Sequence, residues 1–280
     1  MKTQSCDATT ELELGLCYDR AKAHLGMDEA MLLATRLLGM SFTEVITERG
    51  RLLSLADVEK LNSAVQRRLS GEPIAYITGK KMFRTLDLRV SPDVLIPRFE
   101  TELLVDVVLE ATPNGGRVLD LGTGSGAIAI ALSKTKELQV VAVDNDERAL
   151  QVCAENCRKH EANVELVCSN WFENVRGRFD TIVSNPPYVA ADDPHLDEGD
   201  LRFEPHDALV GGPSGLEHLE EIIASASNFL NPDGWLVVEH GYDQQTSVKK
   251  LFVDRGFANI QQRRDYTDTP RVMWGQACGR

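Results

Sequence analysis

Residues 117–133, RVLDLGTGSGAIAIALS, hold the pattern that decides the fold. Arg117–Leu121 reads as an apolar strand. It runs into Gly122-Thr123-Gly124-Ser125-Gly126 and then into an apolar helix, Ala127–Ser133. Glycines let a backbone turn tightly and come close to a ligand, and a helix start offers N–H groups with no intrahelical partner. The next strand, Gln139–Val143, ends at Asp144, 18 residues after Gly126. A carboxylate there can accept hydrogen bonds from both hydroxyls of a ribose. Gly122-x-Gly124-x-x-Ala127 fits a dinucleotide fingerprint and an S-adenosylmethionine (SAM) loop equally well, so this stretch alone leaves both cofactors open.

The same alternation continues outward. Helix Glu147–His160 is followed by strands Asn163–Cys168 and Phe179–Ser184, helix Leu216–Leu230 and strand Gly234–Glu239. This order predicts an α/β domain with a parallel sheet covered by helices on both faces. Ligands of such sheets bind at the carboxyl ends of the strands.

A second motif falls at one of those ends, Asn185-Pro186-Pro187-Tyr188. Two prolines remove two backbone donors and stiffen the turn. What is left is a set of carbonyl acceptors beside the Asn185 side-chain carbonyl, with Tyr188 as an aromatic wall. Such a corner can hold a planar –NH2 group by both hydrogens. A nicotinamide enzyme has no use for that, whereas a methyltransferase acting on an amide or an exocyclic amine does. The predicted catalytic residues are Asn185, Pro186 and Tyr188.

Residues 9–71 read as four short helices. Asp28 can cap one of them, and Ser41-Phe-Thr-Glu44 has the form of a capping box. Ser54 precedes a run with Leu or Val at 55, 58, 61, 65 and 69. No strand-like alternation interrupts this segment, which suits recognition or docking. Residues 72–97 carry Pro73, Gly79, Pro92 and Pro97, with Ile74–Ile77 and Leu86–Val90 β-like, so a linker with a hairpin around Gly79-Lys80-Lys81 is expected. The expected domains are a helical domain over 1–71, this linker over 72–97, and the α/β domain over 98–280.

The chain has 280 residues, enough to bury a core without metals or disulfides. Residues 1–90 carry 13 basic and 12 acidic side chains; residues 91–280 carry 17 and 31. An acidic catalytic half is poorly suited to gripping long DNA or RNA, which needs clustered Lys and Arg. The start, MKTQSCDATTELELG, has no apolar signal core, and no apolar run reaches the roughly 20 residues of a membrane span. Cys6, Cys17, Cys153, Cys157, Cys168 and Cys278 form no CxxC pair. They read as reduced structural thiols of a cytoplasmic protein, with no metal site.

Taken together, Gly71-Glu-Pro-Ile-Ala-Tyr-Ile-Thr-Gly79, Leu95-Ile-Pro-Arg98 with Glu100-Thr-Glu102, Asp120-Leu-Gly-Thr-Gly-Ser-Gly126, Asn185-Pro-Pro-Tyr188 and Glu239-His-Gly241 resemble the HemK/PrmC family of release factor glutamine methyltransferases. The resemblance implies a Rossmann-like class I SAM-dependent methyltransferase fold. Its seven-stranded sheet has a reversed last strand, here Arg271–Ala277 against Phe257–Tyr266, and it follows a small N-terminal helical bundle. It implies N5-methylation of the glutamine in the Gly-Gly-Gln motif of class 1 peptide release factors, with S-adenosylhomocysteine as by-product and no direct nucleic-acid or membrane partner. Gly122, Thr123, Gly124, Ser125, Gly126, Asp144, Asn170, Trp171 and Asn185 would hold the cofactor. Asn185, Pro186, Pro187 and Tyr188 would contact the glutamine. Two positions depart from the family pattern. Phe99 stands where a proline is usual, which puts the local loop shape in question. Asn170 stands where an acid usually precedes Trp-Phe. The alternative reading is an adenine-N6 nucleic-acid methyltransferase, which shares the Asn-Pro-Pro-Tyr chemistry on a flipped base.

Overall fold

A computed structural model describes residues 12–278. Expectations for residues 1–11, Cys6 among them, lie outside the described residues. The described chain divides into two compact units between Gly79 and Lys80.

The first unit is helical. β1 (Leu12–Glu13) leads into α1 (Leu14–Leu25), α2 (Met27–Leu38) and α3 (Phe42–Thr47); β2 (Leu52–Leu53), α4 (Leu55–Leu69) and α5 (Ile74–Thr78) follow. Ser41 and Glu44 form the full capping box, Glu44 N–H to Ser41 Oγ at 3.2 Å and Ser41 N–H to Glu44 Oε2 at 2.7 Å. Ser54 caps α4 through the Asp57 N–H at 3.1 Å. Leu14, Tyr18, Leu33, Val45 and Leu61 are the centre of the core, each nearly or fully removed from water. Each such side chain contributes about 1.5–3 kcal/mol of burial.

Three expectations for this region need correction. Gly26, not Asp28, occupies the cap position of α2, and Asp28 lies within the first turn. A strand pairing does interrupt the helices, since Leu12 and Glu13 pair with Leu53 and Leu52. Ile74–Thr78 is a helix rather than β-like. Pro73, at φ −57°, starts it, and Gly79 ends it in the left-handed region at φ 67°. The Thr78 hydroxyl donates back to the Ile74 carbonyl at 2.8 Å, which suits a β-branched residue to that short turn.

The second unit opens with a hairpin, β3 (Lys80–Phe83) and β4 (Leu86–Arg89). Its turn lies at Arg84-Thr85, four residues beyond the expected place, because Gly79 is already used to stop α5. Arg84 adopts φ 51°, and its N–H donates to Glu102 Oε1 at 2.7 Å. After α6 (Glu102–Ala111), the chain alternates: β5 (Arg117–Leu121), α7 (Ala127–Thr135), β6 (Gln139–Asp144), α8 (Glu147–His160), β7 (Val164–Cys168) and β8 (Phe179–Ser184). Three single 3-10 turns separate β8 from α9 (Glu217–Ala226). Then come β9 (Leu230–Glu239), α10 (Gln245–Asp254), β10 (Phe257–Arg264) and β11 (Pro270–Ala277).

These strands form one sheet in the order β10-β11-β9-β8-β5-β6-β7. β5 to β9 run parallel, and β11 alone runs antiparallel to both its neighbours, β9 and β10. β9 begins four residues earlier than expected, where a register shift against β8 absorbs Asn231–Gly234. Side chains alternate faces along each strand. Val118, Val140, Val183 and Val237 pack beneath α6, α7 and α8; Leu119, Val141, Ile182, Leu236 and Val238 pack beneath α9 and α10. Both faces are dry, which is why the parallel strands read as continuous apolar runs. The order reverses between β5 and β8, so the crevice lies at the carboxyl ends of these two strands.

Candidate functional site

A cleft of about 840 Å³, counting its open mouth, lies at that switch point. Gly122, Gly124, Asp144, Asn170, Trp171, Asn185 and Pro187 all line it, brought from the ends of β5, β6, β7 and β8. Thr123, Ser125 and Gly126 stand behind the lining and shape the turn. The Thr123 hydroxyl donates to Asp120 Oδ2 at 2.7 Å. Asp120 is fully buried, its Oδ1 has no partner among the described residues, and burial pushes its carboxyl up to about 7. Ser125 offers its carbonyl to Asn156 Nδ2 at 2.9 Å, and Asn156 Oδ1 takes the Arg89 N–H at 2.7 Å. The glycine loop is thereby tied to the hairpin through α8.

Two glycines are required by the geometry. Gly126 sits at φ 83°, and a Cβ there would come within 2.6 Å of Cys153 Sγ. Gly124, at φ 53°, faces open space, with nothing within 4 Å of where its Cβ would be. A ligand can therefore lie directly against that backbone. Cys153 and Cys157 are free thiols buried on one face of α8. Their mutual hydrogen bond, then burial, pushes the Cys153 thiol upward, so it stays protonated.

Asp144 anchors the loop with both carboxylate oxygens. Oδ2 accepts the Gly124 N–H at 2.8 Å, and Oδ1 accepts the Asp146 N–H at 3.0 Å. Burial raises its carboxyl from the ordinary range, while these N–H donors oppose that shift. Each oxygen keeps further acceptor capacity for a diol. The structure thus meets the demands of a SAM nucleoside: a bare glycine backbone, an acidic acceptor one strand over, and an aromatic plane nearby.

That plane is Trp171, whose backbone takes φ 42°, a rare conformation for a bulky residue. Ser169 holds the turn, accepting the Asn174 N–H at 2.9 Å and donating its hydroxyl to the Trp171 carbonyl at 3.1 Å. The indole lies 5.3 Å from the His218 ring. Asn170 donates Nδ2 to Glu173 Oε1 at 3.1 Å, which leaves Oδ1 free to accept. A carboxylate here strengthens that acceptor, since hydrogen bonds to charged groups exceed neutral ones by about 1 kcal/mol, but it also removes the donor to Glu173 and sets two carboxylates against each other. Asn170→Asp is expected to alter SAM binding by less than about 5-fold by calorimetry, the gain at the acceptor being offset at Glu173; an unchanged Kd contradicts the expected contact.

The Asn-Pro-Pro-Tyr corner is split in its roles. Asn185 and Pro187 face the cleft, whereas Pro186, expected at the reacting amide, is buried and does not line it, and Tyr188 packs into the core below it. The Tyr188 hydroxyl donates to Glu239 Oε1 at 3.1 Å, and burial raises its pKa, so it keeps its proton. Its carbonyl accepts Gln244 Nε2 at 2.9 Å. Asn185 donates Nδ2 to Thr101 Oγ1 at 3.2 Å. Among the described residues no donor occupies Asn185 Oδ1 or the Pro186 carbonyl.

Several lining residues carry no local signal in the sequence. Asp93, Val94 and Leu95 close one side, and Pro205, Asp207 and Ala208 close another. The two loops are clasped by Glu204, which accepts the Ile96 N–H at 3.0 Å and pairs with Arg98. Burial raises the Glu204 carboxyl and Arg98 pulls it back. Phe99 points away into solvent, its ring 5.4 Å from that of Tyr266, so the replaced proline leaves the site's lining intact. His195 and His206 lie on the exposed loop after β8 and do not line the cleft.

The glycine loop, the acid one strand over and the reversed last strand define a methyltransferase of the doubly wound type. Residues 99–198 match the Methyltransferase small domain family, and residues 22–79 match the PrmC N-terminal domain. A methyltransferase from Pyrococcus furiosus has the same fold, with a TM-score of 0.56 at 20% identity over 78% of this chain and 99% of that one. The particular relatives are closer. The release factor glutamine methyltransferase of Aliivibrio fischeri is 41% identical over 253 residues, 89% of each chain. That of Pseudomonas aeruginosa is 44% identical over 257 residues, 90% of this chain and 93% of its own. The chain belongs to the release factor glutamine methyltransferase family.

Proposed function

We propose that this chain methylates the side-chain amide nitrogen, N5, of the glutamine in the Gly-Gly-Gln motif of class 1 peptide release factors. SAM is the methyl donor and S-adenosylhomocysteine the by-product. The observation that carries this reading is the open acceptor Asn185 Oδ1 at the cleft lined by Gly124, Asp144 and Trp171, with the unengaged carbonyl of the buried Pro186 next to it in the chain.

SAM, when bound, supplies an electrophilic methyl on its sulfonium. The chain's own residues supply orientation. Asp144 takes the ribose hydroxyls, the Gly122–Gly126 backbone lies under the nucleoside, and Trp171 and Asn170 face the adenine. Asn185 Oδ1 and the Pro186 carbonyl accept the two N–H bonds of the glutamine amide. That draws electron density onto nitrogen and turns its lone pair toward the methyl. It also stabilises positive charge as it grows on nitrogen, the counterpart of an oxyanion hole. Fixed in-line geometry supplies the rest of the advantage. No side chain in the corner removes the amide proton beforehand: Tyr188 is itself protonated and donates to Glu239. The proton leaves after transfer, to solvent.

The acidic second unit suits a peptide substrate rather than a polynucleotide. No described helix is long and apolar enough to cross a membrane, and the cytoplasm, where release factors are made, is the proposed location. Mass spectrometry of a release factor incubated with enzyme and SAM tests the assignment. A gain of one CH2 on the Gly-Gly-Gln glutamine is expected. An unmodified release factor, or a methyl on another residue, refutes it.

A further inference from the structure

Asn185 can accept from a substrate amide only while its own amide is held one way round. A free carboxamide can turn over and present Nδ2 where Oδ1 stood, replacing an acceptor with a donor. The reading of Asn185 as the glutamine acceptor therefore needs something that sets this orientation, and the following inference rests on that reading.

We propose that Thr101 is the positioning residue that fixes the Asn185 amide, with Glu239 fixing the direction of the Thr101 hydroxyl. Thr101 lies just before α6 and is 4% exposed. Its Oγ1 meets Asn185 Nδ2 at 3.2 Å. A hydroxyl carries one proton and two acceptor lone pairs. Once that proton is committed elsewhere, Oγ1 faces Asn185 as an acceptor only, and only the Nδ2 end of the amide can pair with it. Oδ1 must then point the other way.

Glu239 commits the proton. It ends β9, is 1% exposed, and takes the Tyr188 hydroxyl on Oε1. Its Oε2 has no partner of ordinary geometry among the described residues. Burial raises the Glu239 carboxyl to about 7, and the Thr101 and Tyr188 hydroxyls, then Arg271 on β11, favour its charged form and oppose that shift. In its ionised form this carboxylate can only accept, so both hydroxyls then donate to it. With Glu239 ionised, the polarity runs one way, from Asn185 Nδ2 to Thr101 and from Thr101 to Glu239. It links three segments that are remote in sequence. Tyr188 closes the same carboxylate from below, which joins both ends of the Asn-Pro-Pro-Tyr corner to Glu239.

The test is a double-mutant cycle on methyl transfer to a full-length release factor, with SAM affinity measured alongside. Thr101→Val keeps the shape and removes the acceptor; kcat is expected to fall about 10²-fold, as for a misaligned reactant, with SAM Kd unchanged. Thr101→Ser is expected to restore most of the rate. In an Asn185→Ala background, Thr101→Val is expected to cost nothing further, because its effect passes through that amide. Full activity in Thr101→Val, or losses that multiply in the double variant, overturns the proposal. A wild-type enzyme that transfers no methyl to glutamine overturns the substrate reading, and this inference with it. Should circular dichroism show Thr101→Val unfolded, Glu239→Gln enters the same cycle, with the same non-additivity expected and independent losses counting against it.

Discussion

Asn185→Ala is expected to lower kcat for glutamine methylation by about 10³-fold, the upper end of the loss on removing one preorganised contact to developing charge. Asn185 Oδ1 has no competing donor among the described residues, and its Nδ2 is held by Thr101. On the proposed reading, removing the side chain takes away one of two acceptors for the amide and leaves the other, the Pro186 carbonyl, unable to fix the nitrogen by itself. SAM binding is expected to change far less, because the glycine loop, Asp144 and Trp171 line the cleft independently of Asn185. Single-turnover transfer together with calorimetry separates the two. A variant that binds SAM and keeps full transfer contradicts the role given to Asn185.

Asp144→Ala is expected to weaken SAM binding about 10²-fold, from the loss of two hydrogen bonds to a charged acceptor at about 1.5–3 kcal/mol each, partly offset by water. The same carboxylate also organises the protein, through the Gly124 and Asp146 N–H groups. Asp144→Asn separates these contributions. It keeps one acceptor oxygen but sets an NH2 against an N–H donor, so the loop loosens while a ribose contact survives. An intermediate affinity is expected for it. Calorimetric Kd values equal to wild type in both variants would remove Asp144 from the cofactor site.

The α/β half was legible because its signals are local. A buried parallel strand reads as an unbroken apolar run, and the residue just past its end sits at the crevice. Gly122, Asp144 and Asn185 could therefore be placed at strand ends from the sequence, and the sheet puts them around one cleft. The reversed last strand followed from the family resemblance rather than from periodicity. What local pattern misread was short and context-bound. Ile74–Thr78 is rich in β-branched and aromatic residues, yet Pro73 and Gly79 confine it to a single helical turn. The hairpin turn was placed at the glycine, whereas Arg84 makes it, a left-handed arginine whose N–H is held by Glu102.

The remaining parts of the site are long-range and have no sequence signature. Thr101 and Asn185 are 84 positions apart, and Glu204 reaches Ile96 across 108. Only the sheet order brings them together. His218 enters the cleft from α9 for the same reason. Phe99 shows the converse. A departure that looked disruptive in the motif lies on the outer surface against Tyr266, where a proline's stiffness has little to shape.

The account stands on the diproline corner as a two-point acceptor for a carboxamide. A crystal structure with S-adenosylhomocysteine and a Gly-Gly-Gln peptide measures this directly. The glutamine nitrogen is predicted within hydrogen-bond distance of both Asn185 Oδ1 and the Pro186 carbonyl, with its free face toward the sulfur. A glutamine bound elsewhere, or Asn185 turned so that Nδ2 faces the substrate, would contradict it.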